Sequence, residues 1–197
     1  RKYFYNYYAK HDTEFDIEKI LFLKKLTSIP FEIGNISHEV IEGVLKRLIK
    51  TTEPIDREKF ELYLRDKILP RLDVNYSEIY YGGLKKIELD QLFEKTKLCL
   101  NNFLDSDRFD WLKENAIAEK DNWLIEPPGY GETRLDEMKL YCKVDFLTPL
   151  DGKVVILEWK TGKKDEKRHA QQLVGYASWA SQNMEKEASN IEPIMVY

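Results

Sequence analysis

The sequence predicts an α/β (α+β) fold, with a mostly helical N-terminal part followed by a mixed central sheet flanked by helices. Three observations carry this. Up to about residue 120, apolar residues recur at three- and four-residue spacing, the period of helices with one buried face. At Trp123 the texture changes to Pro/Gly loops and short β-rich runs. Then Asp151-Gly152 joins two apolar runs, and a helical stretch and a last apolar run follow: hairpin, helix, strand.

In chain order, RKYFYNYYAK packs five aromatics into one segment (Tyr3, Phe4, Tyr5, Tyr7, Tyr8) and reads as a helix that buries them. Residues 15 to 26 have helical periodicity and stop before Pro30. GNISHEVIEGVLKRLIK carries an apolar stripe from Ile36 to Ile49, with Asn35 or Ser37 as the expected N-cap. Helices are expected over 56–69 and 85–104, and a short one around 107–120. WLIEPPGYG reads as a short strand running into a loop. Residues 140–148 read as one strand, 149–152 as its turn, and KVVILEWK as the partner strand. A helix after Lys163 and a strand at IEPIMVY close the order.

Bulk properties bound the function. A chain of 197 residues, 43% hydrophobic, suits a single domain spanning 1–197 with a core that needs no disulfides. The net charge of −4 gives no global basic signature and argues mildly against a protein that coats DNA generally, so any nucleic-acid partner is held by a local patch. Cys99 and Cys142 are too few for a disulfide framework, a Cys-only zinc site or an iron–sulfur cluster. They read as reduced core thiols of a cytoplasmic protein. No apolar run reaches membrane-spanning length and no signal peptide is visible, so no membrane partner is expected. The chain opens on Arg1, so the natural protein is expected to start upstream.

The chemistry is concentrated where VVIL runs into Glu158, Trp159 and Lys160. Strand side chains alternate, so Ile156, Glu158 and Lys160 share one face. With 149–152 as a four-residue loop, residue 145 falls opposite 156, and Asp145 shares the face of Glu158, one step away diagonally. Two carboxylates this close repel unless something neutralises them. A divalent cation with oxygen ligands, Mg²⁺ or Mn²⁺, does so, and it can also activate water and offset charge on a phosphate. Lys160 beside it could assist that water or the developing charge. The plain alternative is a surface hairpin with ordinary ion pairs.

The stretch VDFLTPLDGKVVILEWKTGK resembles the signature of the PD-(D/E)XK phosphodiesterase superfamily, and most closely its RecB-like branch. Further motifs match in order: GNISH as the branch's G-x-x-x-H, and QLVGY as its Q-x-x-x-Y. The aromatic opening segment and NWLIEPPGYGETRLDEMKLYCKVDF are also similar to the branch, whereas about 52–120 matches no motif and reads as a helical insertion before the catalytic part, 122–197. The resemblance implies a restriction-endonuclease-like sheet. It also implies His38, Asp145, Glu158 and the Trp159 carbonyl as metal ligands, Lys160 as the catalytic lysine, and Gln172 and Tyr176 as groups that orient the site or contact DNA. A nitrogen ligand suits Mn²⁺ as well as Mg²⁺. Where the family usually has Gly three residues before its Asp, this chain has Cys142. The cysteines that hold an iron–sulfur cluster in some relatives have no counterpart here, so no cluster is expected.

KTGKKDEKRH follows the strand with five Lys/Arg against two acids, and Lys163, Lys164 and Arg168 are its candidates for phosphate contact. The functional expectation is a metal-dependent DNase acting as an exonuclease on duplex ends or single strands, with a helicase or another nuclease-complex subunit as the candidate protein partner. A site- or structure-specific endonuclease is one alternative, with 52–120 as its recognition element. A non-cutting DNA-binding module is the other. Repair, recombination, phage biology and CRISPR adaptation all use this branch.

Overall fold

The computed structural model describes residues 16–129, 131–135 and 137–197, so the aromatic segment 1–8 lies outside it. Helix α1 (Ile17–Lys25) is capped by Asp16, whose carboxylate accepts the Lys19 N–H. Helix α2 (Ile29–Lys50) starts earlier than its motif suggests. Ser28 is the N-cap, and Pro30 sits in the first turn, where its missing N–H costs nothing. The expected caps Asn35 and Ser37 are therefore interior residues of a longer helix. Helix α3 (Arg57–Ile68) starts from Asp56, which accepts two backbone N–H groups. A short α4 (Ser77–Tyr80) was not foreseen. Helix α5 (Leu89–Leu104) opens on a Glu88/Gln91 capping box rather than at Lys85. Helix α6 (Asp107–Glu114) and a 3₁₀ stretch (Ala116–Asn122) fill the expected short helical region.

The strands are β1 (Leu124–Ile125), β2 (Gly131–Leu135), β3 (Met138–Cys142), β4 (Phe146–Leu150), β5 (Lys153–Trp159) and β6 (Ile191–Val196), with α7 (Glu166–Met184) between the last two. They form a mixed four-stranded sheet in the order β1-β4-β5-β6, with only the β5–β6 pair parallel, and a separate β2–β3 hairpin.

The expected single strand over 140–148 is thus two strands in different sheets, broken at residues 143–145. Nothing in the alternation of LYCKVDFLT marks the break; tertiary packing makes it. The β2–β3 hairpin is held on α7, where Gln182 Nε2 donates to the Arg134 carbonyl at 2.8 Å. A Cβ at Gly131 would lie 2.2 Å from Trp179 Nε1, so glycine permits that approach. Cys142 also meets α7: its Sγ lies 3.4 Å from the Gly175 carbonyl, a spacing that a small side chain satisfies.

The β4–β5 turn is tighter than expected. Leu150 pairs with Lys153, so only Asp151 and Gly152 turn. Both have positive φ, 50° and 79°, as a two-residue hairpin requires. The true register differs from the expected one by two residues, and an even shift leaves every side chain on its face. Continued past the strand end, it sets Asp145 directly opposite Glu158.

Strand β5 is buried on both sides, which explains its aliphatic run. Val155, Leu157 and Trp159 join the core built by α2, α3 and α5, with Ile36, Leu45, Leu64 and Phe93 among its members. Val154 and Ile156 face α7 through Tyr176 and Ala180.

Candidate active site

Strand ends bring the acids together. The β1–β4 register pairs Ile125 with Phe146, so the next step sets Glu126 opposite Asp145. The Glu126 N–H does donate to the Asp145 carbonyl, at 2.8 Å. Glu126, Asp145 and Glu158 thus form one row of carboxylates across three neighbouring strands. Glu126 holds a φ of 40° immediately before Pro127, a costly backbone state for a non-glycine residue and one that clusters at functional sites.

Helix α2 supplies the imidazole. His38 Nδ1 lies 3.0 Å from Glu126 Oε1 and 3.3 Å from Asp145 Oδ1. Ligand atoms of His38, Glu126 and Asp145 fall within 4.8 Å of one another. The other oxygen of Asp145 accepts the Trp159 backbone N–H at 2.8 Å, which fixes the carboxylate to β5. This cluster opens on a cleft of about 530 Å³.

Glu158 belongs to a second, adjoining group. Its Oε1 accepts Lys160 Nζ and Gln172 Nε2, both at 2.7 Å, and its Oε2 lies 2.8 Å from the Tyr176 hydroxyl. That hydroxyl also lies 2.9 Å from the Lys143 carbonyl and accepts from Gln172 at 2.6 Å. Lys143 links the groups, since its ammonium is 2.9 Å from Glu126 Oε2.

The structure therefore brings together His38, Asp145, Glu158, Lys160, Gln172, Tyr176 and the backbone of Trp159. The Trp159 indole turns away to the core and packs edge-on to Phe103 at 5.2 Å. Lys163, Lys164 and Arg168 lie on the exposed segment beyond the strand. There Lys164 pairs with Glu166 at 3.0 Å, and Arg168 opens α7 with its N–H on Asp165. Sequence reasoning missed Glu126 and Lys143. The signal for Glu126 was a carboxylate ending the short strand beside the Asp145 strand, visible only once the pairing of those strands is known.

The electrostatics follow from the row of acids. Burial disfavours the charged form of His38, but hydrogen bonds and charge from Asp145 and Glu126 outweigh it and raise its pKa to about 10. Burial likewise opposes the charge on Glu126, yet His38 and Lys143 hold its pKa below the ordinary carboxylate value. Burial first, then the charge of Asp145, push Glu158 up, and Lys160 and Tyr176 offset part of this. Burial and Glu158 raise the Tyr176 phenol, which stays a neutral hydrogen-bonding group.

One nitrogen and two carboxylates suit a divalent cation in donor type and spacing. A helix-flanked mixed sheet that gathers acids, an imidazole and a lysine at the ends of neighbouring strands is an arrangement suited to metal-assisted phosphodiester chemistry. A family model described as the PD-(D/E)XK nuclease superfamily matches residues 1–197, and the chain belongs to that superfamily. No curated protein and no solved structure matches the chain significantly. No helix among the described residues is long and apolar enough to cross a membrane.

Proposed function

We propose that this chain is a Mg²⁺- or Mn²⁺-dependent deoxyribonuclease of the RecB-like kind that hydrolyses phosphodiester bonds as an exonuclease, at duplex ends or on single strands. The observation that carries this reading is the convergence of His38, Glu126 and Asp145 within 4.8 Å, one strand from the Glu158–Lys160 pair. When bound, such a cation polarises a phosphoryl oxygen and lowers the pKa of a coordinated water. The chain's own residues do the rest. The Trp159 N–H orients Asp145. Gln172 and Tyr176 orient Glu158, which holds the Lys160 ammonium beside the row of acids. From there Lys160 stabilises negative charge developing at phosphorus or guides the attacking water's proton. Lys163, Lys164 and Arg168 contact the flanking phosphates.

Residues of the 52–120 region, Phe60, Leu64, Leu92 and Phe93, share one core with α2 and β5. That supports a structural layer over a separate recognition element, and so an end-directed enzyme over a site-specific endonuclease. A helicase or other subunit that delivers single strands, in a cytoplasmic repair or related pathway, is the partner this reading calls for.

The test incubates linear and circular DNA with Mg²⁺ or Mn²⁺. Progressive loss of linear DNA alone is the expected result. Discrete bands from circles would show an endonuclease, and binding without cleavage would show a non-cutting module.

Cation binding should also release a proton. His38 Nδ1 faces both acids, so a proton on the imidazole and a cation compete for one position. Below about pH 10 the apparent affinity should rise with pH, by up to about tenfold per pH unit. Calorimetry in buffers of different ionisation enthalpy should show close to one proton released per cation at pH 7–8, and none for His38→Ala. Chelated protein should run the other way. The raised pKa of His38 stabilises the fold fully below about pH 6.5, and that contribution is lost as pH rises toward about 10.

A further inference from the structure

We propose that Phe31 and Arg71 form a nucleotide subsite beside the ligand cluster, with Phe31 stacking on an unpaired base of the strand being cut and Arg71 contacting its phosphate. The proposal rests on the nuclease reading and deepens it, since it names the substrate as unstacked single strand.

The placement comes from α2. Phe31, Asn35, His38 and Glu42 recur at four, three and four residues and line one cleft. Seven residues of helix separate Phe31 from His38, a rise of about 10 Å, on the order of three stacked nucleotide steps. Phe31 is 63% exposed although it is a large apolar ring. Core packing does not explain it, and its position at the wall of a charged cleft does. Exposed aromatic rings beside cationic groups are how proteins hold single strands without regard to sequence.

Arg71 comes from the 3₁₀ turn Leu69–Arg71. Its guanidinium reaches Glu39 at 3.2 Å and Glu32 at 3.5 Å, so it lies between the levels of Phe31 and His38. The other acids on this wall do not oppose a phosphate freely. Glu39 also pairs with Lys67 at 2.6 Å, and Glu42 with Lys46 at 2.5 Å. The guanidinium is thus held in place at the wall of the cleft.

The experiment uses the full chain and single-stranded oligonucleotides carrying one abasic residue at successive positions from the cut. One position should raise KM by about 5- to 150-fold in the native enzyme, the worth of one stacked base. Phe31→Ala should raise KM by the same factor on intact strand, leave kcat unchanged, and lose all sensitivity to that abasic position. Phe31→Trp should restore both, and Arg71→Gln should raise KM without removing the abasic response. A Phe31→Ala enzyme with native KM on intact strand would overturn the subsite and leave the nuclease reading standing. Native protein that neither cuts single strands nor quenches a 2-aminopurine label in them would overturn the subsite, and the nuclease reading falls only if linear duplex DNA is left uncut as well.

Discussion

Asp145→Asn is expected to abolish DNA cleavage, by about 10³-fold or more, while the protein stays folded. The argument is that Asp145 has two jobs and asparagine keeps one. Its Oδ2 accepts the Trp159 N–H at 2.8 Å, and an amide oxygen can accept the same bond. The amide carries no charge, however, so the cluster of His38 and Glu126 loses one of its two anionic ligands. Stabilisation of transition-state charge by a cation is worth several kcal/mol, and each 1.36 kcal/mol is tenfold in rate. The fold gains rather than loses on one count, because Asp145 is a cause of the raised pKa of buried Glu158. Initial rates on linear DNA, cation titration and thermal unfolding of the same preparation check the three parts. Native-like cleavage by a folded Asp145→Asn protein would exclude this row of acids as the reaction centre.

Some of this was legible in the residues, for a physical reason. A strand buried on both faces needs an unbroken aliphatic run, so Val154 to Leu157 could be placed in mid-sheet before any coordinates. Asp145 and Glu158 were put on one face although the turn length was wrong, because the error was two residues and side chains alternate with period two. A one-residue error would have dispersed the site. His38, Gln172 and Tyr176 came from a resemblance. Helical spacing by itself could not tell His38 from a surface histidine, or Tyr176 from an ordinary core aromatic.

What stayed hidden depends on contacts between distant segments. The break at residues 143–145 follows from the β2–β3 hairpin leaving the main sheet for α7, and local alternation carries no mark of it. Helix α2 reaches back to Ile29 because Ser28 and Pro30 begin it acceptably, while Asn35 and Ser37 are equally good caps that were not used. Glu126 is the most consequential case. Its role comes from β1 pairing with β4: the short strand was legible in WLIEPPGYG, but the strand it pairs with was not.

The role of Glu126 leads to the second large effect. Glu126→Gln should weaken Mn²⁺ binding by at least the 10- to 100-fold that loss of a supporting partner costs a metal site. Glu158→Gln should lower kcat with a smaller change in Mn²⁺ affinity. The difference follows from where the oxygens point. Those of Glu126 meet His38 at 3.0 Å and Lys143 at 2.9 Å, at the ligand cluster itself. Those of Glu158 are occupied by Lys160, Gln172 and Tyr176 at 2.7 to 2.8 Å, so its loss frees the lysine before it frees a coordination position. A glutamine at 158 also cannot accept from all three donors, so Lys160 loses its fixed direction. Mn²⁺ titration and kcat on linear DNA, measured for both variants, separate the assignments. If the larger loss of affinity falls on Glu158→Gln, then Glu158 joins His38 and Asp145 as a direct ligand, as the family resemblance implies, and Glu126 serves to hold His38 and Lys143.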